Sequence, residues 1–228
     1  MTQLLDVLST EDYAKRFQGT GIRDCAVIDR GLFFFISLQD WDDDKPRPFA
    51  DELQTRLTKL ELSAQKRWIT TFLDGYSNLM CSGPREGDIV CVAVDGRGQV
   101  LAKKVQGSDD EHPVPGGKEK GPCRGNVGKI KPFAGHMYGC GSGRSLFCRI
   151  GPNQWAEGGP LPPEGRGEAG FQDFGGFSGG DIYAAGGKGD VWHYDGSAWH
   201  KIAFPSNMWI ESVCCGEDGY VYIGAQSG

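Results

Sequence analysis

An order of residues that returns along the chain limits what this sequence can fold into. Asp181–Ile202, DIYAAGGKGDVWHYDGSAWHKI, reads as strand, glycine turn, strand, Asp-Gly turn, strand. Ile182–Ala185 is the first strand, and Gly186–Gly189 supplies a turn that tolerates positive φ. Val191–Tyr194 is the second strand, Asp195-Gly196 is a strong hairpin signal, and Trp199 opens the next strand. Upstream, HMYGCGSGRSLFCRIGPNQWAEG keeps that order. Tyr138 matches Tyr183, Gly141 matches Gly186, Leu146 and Phe147 match Val191 and Trp192, and Trp155 matches Trp199. GYVYIGAQSG repeats the opening half with Tyr222 in the marker place, and GDIVCVAVDGRGQVLAKKV repeats it with Val92. The markers Val92, Tyr138, Tyr183 and Tyr222 are 46, 45 and 39 residues apart, room for about four strands per repeat.

A more diverged copy lies nearer the start. GLFFFISL from Gly31 supplies one strand, and TRLTKLELSAQKRWITTF supplies strand, turn and Trp68 in the role of Trp155 and Trp199. Between them sits an insertion, QDWDDDKPRPFADELQ. Phe49, Leu53, Leu57, Leu60, Ala64 and Trp68 also fit helical spacing, so a helix there is an open alternative. Each later unit has a further strand ahead of its hairpin, at 77–81, 127–133, 171–177 and 209–214, each ending near Gly. The expected fold is all-β: a β-propeller of four-stranded antiparallel blades, with blades at about 21–74, 75–124, 125–165 and 166–205 and a partial blade at 206–228. Residues 1–20 read as a helical or closing segment, because Leu4, Leu5, Leu8, Tyr13 and Phe17 look more helical than extended. Because the last unit stops halfway, the chain is expected to be an incomplete portion of a larger propeller.

DIYAAGGKGDVWHYDGSAW resembles a bacterial propeller repeat of the form D-V-Y-A-V-G, then H-Y-D-G, then W. It also resembles a compressed kelch repeat, with Gly186-Gly187, Tyr194 and Trp199, in the wider class of kelch-like and WD-like four-stranded blades. The resemblance runs from about Ser77 to the C-terminus and more weakly over Gly31–Phe72. It implies a propeller whose loops serve binding.

Gly contributes 36 of the 228 residues without a collagen-like period, which fits many tight turns. The N-terminus lacks the long apolar stretch of a signal peptide, and no run approaches the roughly 18 apolar residues of a membrane span. A cytoplasmic location is the expectation, with no membrane partner. The eight Cys form no C-x-x-C pair, and Cys25, Cys91, Cys140 and Cys148 lie in apolar runs, so reduced structural thiols are expected. Net charge is −6, which argues against nucleic acid as the partner. Charge is uneven, however. Asp40, Asp42, Asp43, Asp44, Asp51 and Glu52 crowd one segment, while Lys118, Lys120, Arg124, Lys129 and Lys131 crowd another. Each reads either as a solvated loop or as a contact surface. The stretch from Gly107 to Gly125 reads as a long loop rich in Gly, Pro and charge.

No chemistry-bearing constellation emerges. Gly176-Phe177-Ser178-Gly179-Gly180 has the spacing of a nucleophile elbow, but a strand follows it where a helix is required. His112, His136, His193 and His200 have no metal-ligand spacing, and Asp42–Asp44 lack a calcium-loop pattern. No catalytic residue, metal or cofactor is assigned. The expected function is non-catalytic: a propeller that binds another protein with a basic surface, including the case of an immunity-type inhibitor of a toxin. A sugar-binding propeller and a propeller enzyme remain as alternatives. The candidate contact residues are Asp40, Trp41, Asp42, Asp43, Asp44 and Phe49, since the insertion carries aromatics and acids that the repeat does not require.

Overall fold

A computed structural model describes residues 7–46, 48–49, 51–83, 85–116, 123–160 and 170–226. The chain divides into two compact units, Met1–Cys81 and Ser82–Gly228. The first holds helix α1 (Thr10–Arg16) and a sheet of β1 (Thr20–Asp29), β2 (Leu32–Gln39), β3 (Thr55–Glu61) and β4 (Trp68–Leu73). A second sheet begins at the boundary with β5 (Met80–Ser82) and continues with β6 (Ile89–Val94), β7 (Val100–Lys104) and β8 (Ser108–Glu111). The third comprises β9 (Val127–Phe133), β10 (His136–Gly141), β11 (Ser145–Gly151) and β12 (Gln154–Glu157). The fourth comprises β13 (Asp173–Ser178), β14 (Asp181–Gly186), β15 (Asp190–Tyr194) and β16 (Trp199–Ile202). Among the described residues the fifth has two strands, β17 (Ile210–Cys215) and β18 (Val221–Ala225). In every sheet, neighbours in sequence are neighbours in space. That meander is the blade of a β-propeller.

The ladders fix the repeat residue by residue. Tyr138 and Tyr183 are the third residues of β10 and β14, and Gly141 and Gly186 are the last. A Cβ on Gly141 would lie 2.0 Å from the Asn126 carbonyl oxygen, and one on Gly186 would lie 2.1 Å from that of Gly170. Only glycine fits there. Trp68, Trp155 and Trp199 all fall on the fourth strand, opposite Leu60, Arg149 and Tyr194 of the third. Their equivalence is as expected from the repeat, but their burial is uneven: Trp68 is buried, while Trp155 and Trp199 are half-buried.

In the second unit the sheets pack face to face. Cys140 and Leu146 of the third sheet form one core with Phe171, Phe174, Ile182 and Ala184 of the fourth, with Trp192, Tyr194 and Trp199 alongside. Ala185 and Val191 on the opposite face pack with Ile210 and Val213 of the fifth. One backbone bond recurs at these junctions. Val127, Phe171 and Ile210, all buried at or near the head of a sheet, donate their N–H groups to the carbonyls of Gly96, Gly141 and Gly187 in the preceding sheet, at 2.9, 2.9 and 3.0 Å.

Thr55–Glu61 is strand β3 and Trp68 opens β4, as the repeat requires; the alternative of a helix is not realised in the described part of the insertion, because Leu57 and Leu60 bury into the sheet. Two expectations need correction. The supposed loop 107–125 contains β8, which pairs with β7 from Ser108 to Glu111. Cys25 is exposed, since the face of β1 on which it lies is not covered; the other thiols are also unbridged. Burial raises the pKa of the Cys140 thiol to about 12, which keeps it an unreactive apolar filler.

Charge also crosses the sheet junctions of the second unit. Arg149 is fully buried on β11, at the position that Tyr194 occupies in the fourth sheet. It donates to Glu111 Oε2 at 3.1 Å and Oε1 at 2.5 Å, and to Glu86. Burial alone would lower its pKa, but the bonds and charge of Glu111 and Glu86 outweigh that and hold it charged. Asp173 on β13 joins three sheets: it pairs with Lys131 at 2.8 Å and Lys129 at 3.0 Å, and accepts the Val213 N–H at 3.0 Å. Arg144 grips Asp190 at 2.7 and 3.0 Å.

Replacing Arg149 by Met leaves Glu111 buried without its cation and is expected to cost about 3–5 kcal/mol, measurable by urea unfolding. The Asp173 carboxyl behaves oppositely to a buried acid with no partner. Burial raises its pKa, yet Lys131, the Val213 N–H and Lys129 bring it below the ordinary value. Its stabilisation is therefore complete above the unfolded pKa of about 4 and is lost as pH falls through the lower folded value. Asp173→Asn is expected to lower Tm at neutral pH and to flatten the fall in Tm below about pH 4.

Candidate partner-binding surface

The insertion leaves the first sheet at the end of β2 and returns at the start of β3. Its neck is closed by the sheet: Gln39 N–H donates to the Gln54 carbonyl at 3.0 Å, and Asp40 N–H donates to that of Gly19 at 2.9 Å. Asp42 then nucleates a turn. Its carbonyl accepts the Lys45 N–H at 2.9 Å, its carboxylate accepts the Asp44 N–H at 3.3 Å, and it pairs with Lys45 Nζ at 3.1 Å. A second turn closes on itself, with Phe49 N–H donating to Glu52 Oε2 at 2.8 Å and Glu52 N–H to the Phe49 carbonyl at 3.0 Å. The insertion is thus ordered by short local bonds and contributes little to the apolar core.

An open cleft of about 450 Å³ forms at its base, with Asp40, Trp41, Asp43, Lys45, Arg23 and Leu53 among its lining residues. The structure gathers three of the six candidates, Asp40, Trp41 and Asp43, into this cleft. Asp42 is engaged with Lys45, Asp44 lies on the exposed turn, and Phe49 is 77% exposed outside the cleft. Among the described residues the side chains of Asp40, Asp43 and Asp44 form no ion pair. Trp41 is half-buried and lines the cleft. Arg23 is a member that sequence reasoning missed. It is the extra residue of a β-bulge between Ile22 and Asp24, and a bulge re-aims a side chain without any signature in a single sequence.

The basic cluster looks different once folded. Lys118 and Lys120 lie outside the described residues. Arg124 is spent on Glu157 and on the carbonyls of Pro160, Gly143 and Arg144. Lys129 and Lys131 are spent on Asp173, and Lys131 also lies 4.5 Å from the Phe174 ring centre. The described members are thus paired within the fold: Arg124 with Glu157 of the third sheet, and Lys129 and Lys131 with Asp173 of the fourth.

The remaining candidates for chemistry separate in space or in role. Ser178 ends β13, its Oγ accepts the Gly180 N–H at 3.2 Å, and strand β14 follows at once. His193 and His200 face each other across β15 and β16. His193 pairs with Asp181 at 2.8 Å and stacks on Tyr183 at 4.3 Å, while His200 pairs with Asp195 at 2.8 Å. No cluster of three or more potential metal ligands occurs among the described residues. Nor is any described helix long and apolar enough to cross a membrane.

No protein-family model matches the chain. Over 137 residues it is 37% identical to the Immune protein Tsi7 of Pseudomonas aeruginosa, a match covering 58% of this chain and 44% of that protein. The chain therefore spans less than half the length of the curated relative it matches. Among solved structures it is similar to U3-55K, with a TM-score of 0.50 at 12% identity over 92% of this chain and 76% of the other. A looser likeness, with a TM-score of 0.35 at 10% identity, is to the WD40 β-propeller domain of Doa1. The fold is that of a β-propeller built from four-stranded antiparallel sheets.

If the insertion is an appendage of the sheet, Phe49→Ser is expected to change stability by less than about 0.5 kcal/mol in thermal denaturation. Trp68→Ala, in the buried core of the same unit, is expected to cost about 3–5 kcal/mol.

Proposed function

We propose that this chain is a non-catalytic binding protein of the immunity type, which neutralises a toxin by holding it. The observation that carries this reading is the 37% identity with the Immune protein Tsi7 over 137 residues. The electrostatics of the insertion agree with it. Six acids lie between Asp40 and Glu52 against Lys45 and Arg47, so the segment favours a basic partner surface and speeds its approach. Trp41, half-buried beside Asp40 and Asp43, which form no ion pair among the described residues, has the make-up of an anchor: an aromatic plane for a cationic side chain and carboxylates for its charge.

The test is co-expression with candidate toxins from the native host. The chain is expected to restore growth and to form a complex that survives gel filtration; unrelieved toxicity with a well-folded chain overturns the proposal. On that complex, changing Asp40, Asp43 and Asp44 together to Ser is expected to slow association about tenfold or more at low salt and to weaken its salt dependence. Trp41→Ala is expected to act on dissociation instead. Unchanged kinetics in both variants moves the contact away from the insertion while leaving the immunity reading in place.

A further inference from the structure

The register that relates the sheets also relates their surfaces. In the fourth sheet, the face packed on the third presents Ile182, Ala184, Tyr194 and Trp199. Ladder pairing gives the counterparts in the first sheet. Tyr194 faces Trp199 as Leu60 faces Trp68, Ile182 faces Tyr194 as Phe33 faces Leu60, and Ala184 faces Trp192 as Phe35 faces Thr58. Phe33, Phe35, Leu60 and Trp68 thus form the surface by which a blade of this repeat receives its predecessor.

That surface is covered by the N-terminal segment of the same unit. Phe17 is buried against Leu60 and Trp68, with Val7, Phe33 and Phe35 packed around them. Its ring meets Phe35 and Trp68 edge-on, at 6.0 and 5.9 Å between centres. A polar contact is reproduced as well. Trp199 Nε1 donates at 2.5 Å to the carbonyl of Gly158, which directly follows the last strand of the preceding sheet. Trp68 Nε1 donates at 3.0 Å to the carbonyl of Val7. Arg56 of β3 then secures the end of the helix by donating to the Arg16 carbonyl at 2.9 Å.

We propose that Val7–Phe17 is a blade surrogate: a built-in cap that occupies the blade-docking surface of the first sheet, reproducing the apolar cover and the indole acceptor that the third sheet supplies to the fourth at Trp199. The helix itself is too short to be stable alone, so the segment depends on this surface for its order. In turn it closes an apolar face that would otherwise invite another sheet. A further sheet or a partner that uses this surface must first displace the cap.

The experiment follows the cap within the full chain, by trypsin cleavage at Lys15 and Arg16 and by hydrogen exchange in β2–β4. Trp68→Phe keeps an aromatic ring but removes the indole N–H together with the five-membered ring that carries it. It is expected to speed cleavage at least about fivefold, the factor matching a net hydrogen bond of about 1 kcal/mol with lost packing added to it. Phe17→Ala is expected to speed it about a hundredfold or more, as befits loss of a buried ring. In both variants the amides of β2–β4 should stay protected while the segment opens. Cleavage at the wild-type rate in both variants overturns the proposal. So does opening of the segment together with loss of protection in β2–β4, or failure of both variants to fold, because the segment is then an integral part of the sheet and not a cap.

Discussion

A four-stranded sheet with apolar side chains on both faces cannot bury either face by itself, and everything else in this protein follows from how those faces are covered. In the second unit each face finds the next sheet. Ile182 and Ala184 turn one way and Ala185 and Val191 turn the other, because successive residues of a strand point to opposite sides. The junction is set by backbone as well as side chains. Val127, Phe171 and Ile210 tie the head of each sheet to a glycine carbonyl in the one before, so the approach of one sheet to the next is fixed at a repeated point. In the first unit the corresponding face is covered by Phe17 and Val7, a solution of different secondary structure to the same burial problem.

Charge at the junctions adds selectivity to this packing. Arg149 stands where the equivalent positions hold Tyr194 and Leu60, and its place is tenable only because Glu111 and Glu86 reach it from the neighbouring sheet. Asp173 likewise requires Lys129 and Lys131 on one side and the Val213 N–H on the other. Such groups contribute little net stability over apolar replacements, yet they penalise misplacement heavily, since a slipped sheet leaves them buried and unpaired. The sheets are similar enough to be confused with one another, and these pairs make each junction specific.

The insertion escapes those constraints. It is anchored at its neck by Gln39, Gln54 and Asp40, and beyond that it is held by local turns at Asp42 and Phe49–Glu52. Among its described residues, Asp40, Trp41, Asp43 and Lys45 line an open cleft at its base. The strands provide a rigid base, and the loop carries aromatic and acidic residues that the repeat does not require.

The sequence by itself determined the repeat and therefore the fold class. Gly141, Gly186, the Asp195-Gly196 turn and the three fourth-strand tryptophans are local requirements, visible wherever the same backbone geometry recurs. It also singled out the insertion, because an interruption in a repeat is conspicuous. Tertiary structure decided which charges are available. Lys129, Lys131 and Arg124 read as a basic patch along the chain, but their partners Asp173 and Glu157 are brought to them only by folding. Conversely, nothing in the sequence singles out Arg149, which folding buries between sheets, or Arg23, which a bulge brings to the cleft with Asp40 and Trp41. Spacing along a strand encodes which face a side chain takes, whereas its charge partner is chosen by packing between residues that are distant in sequence.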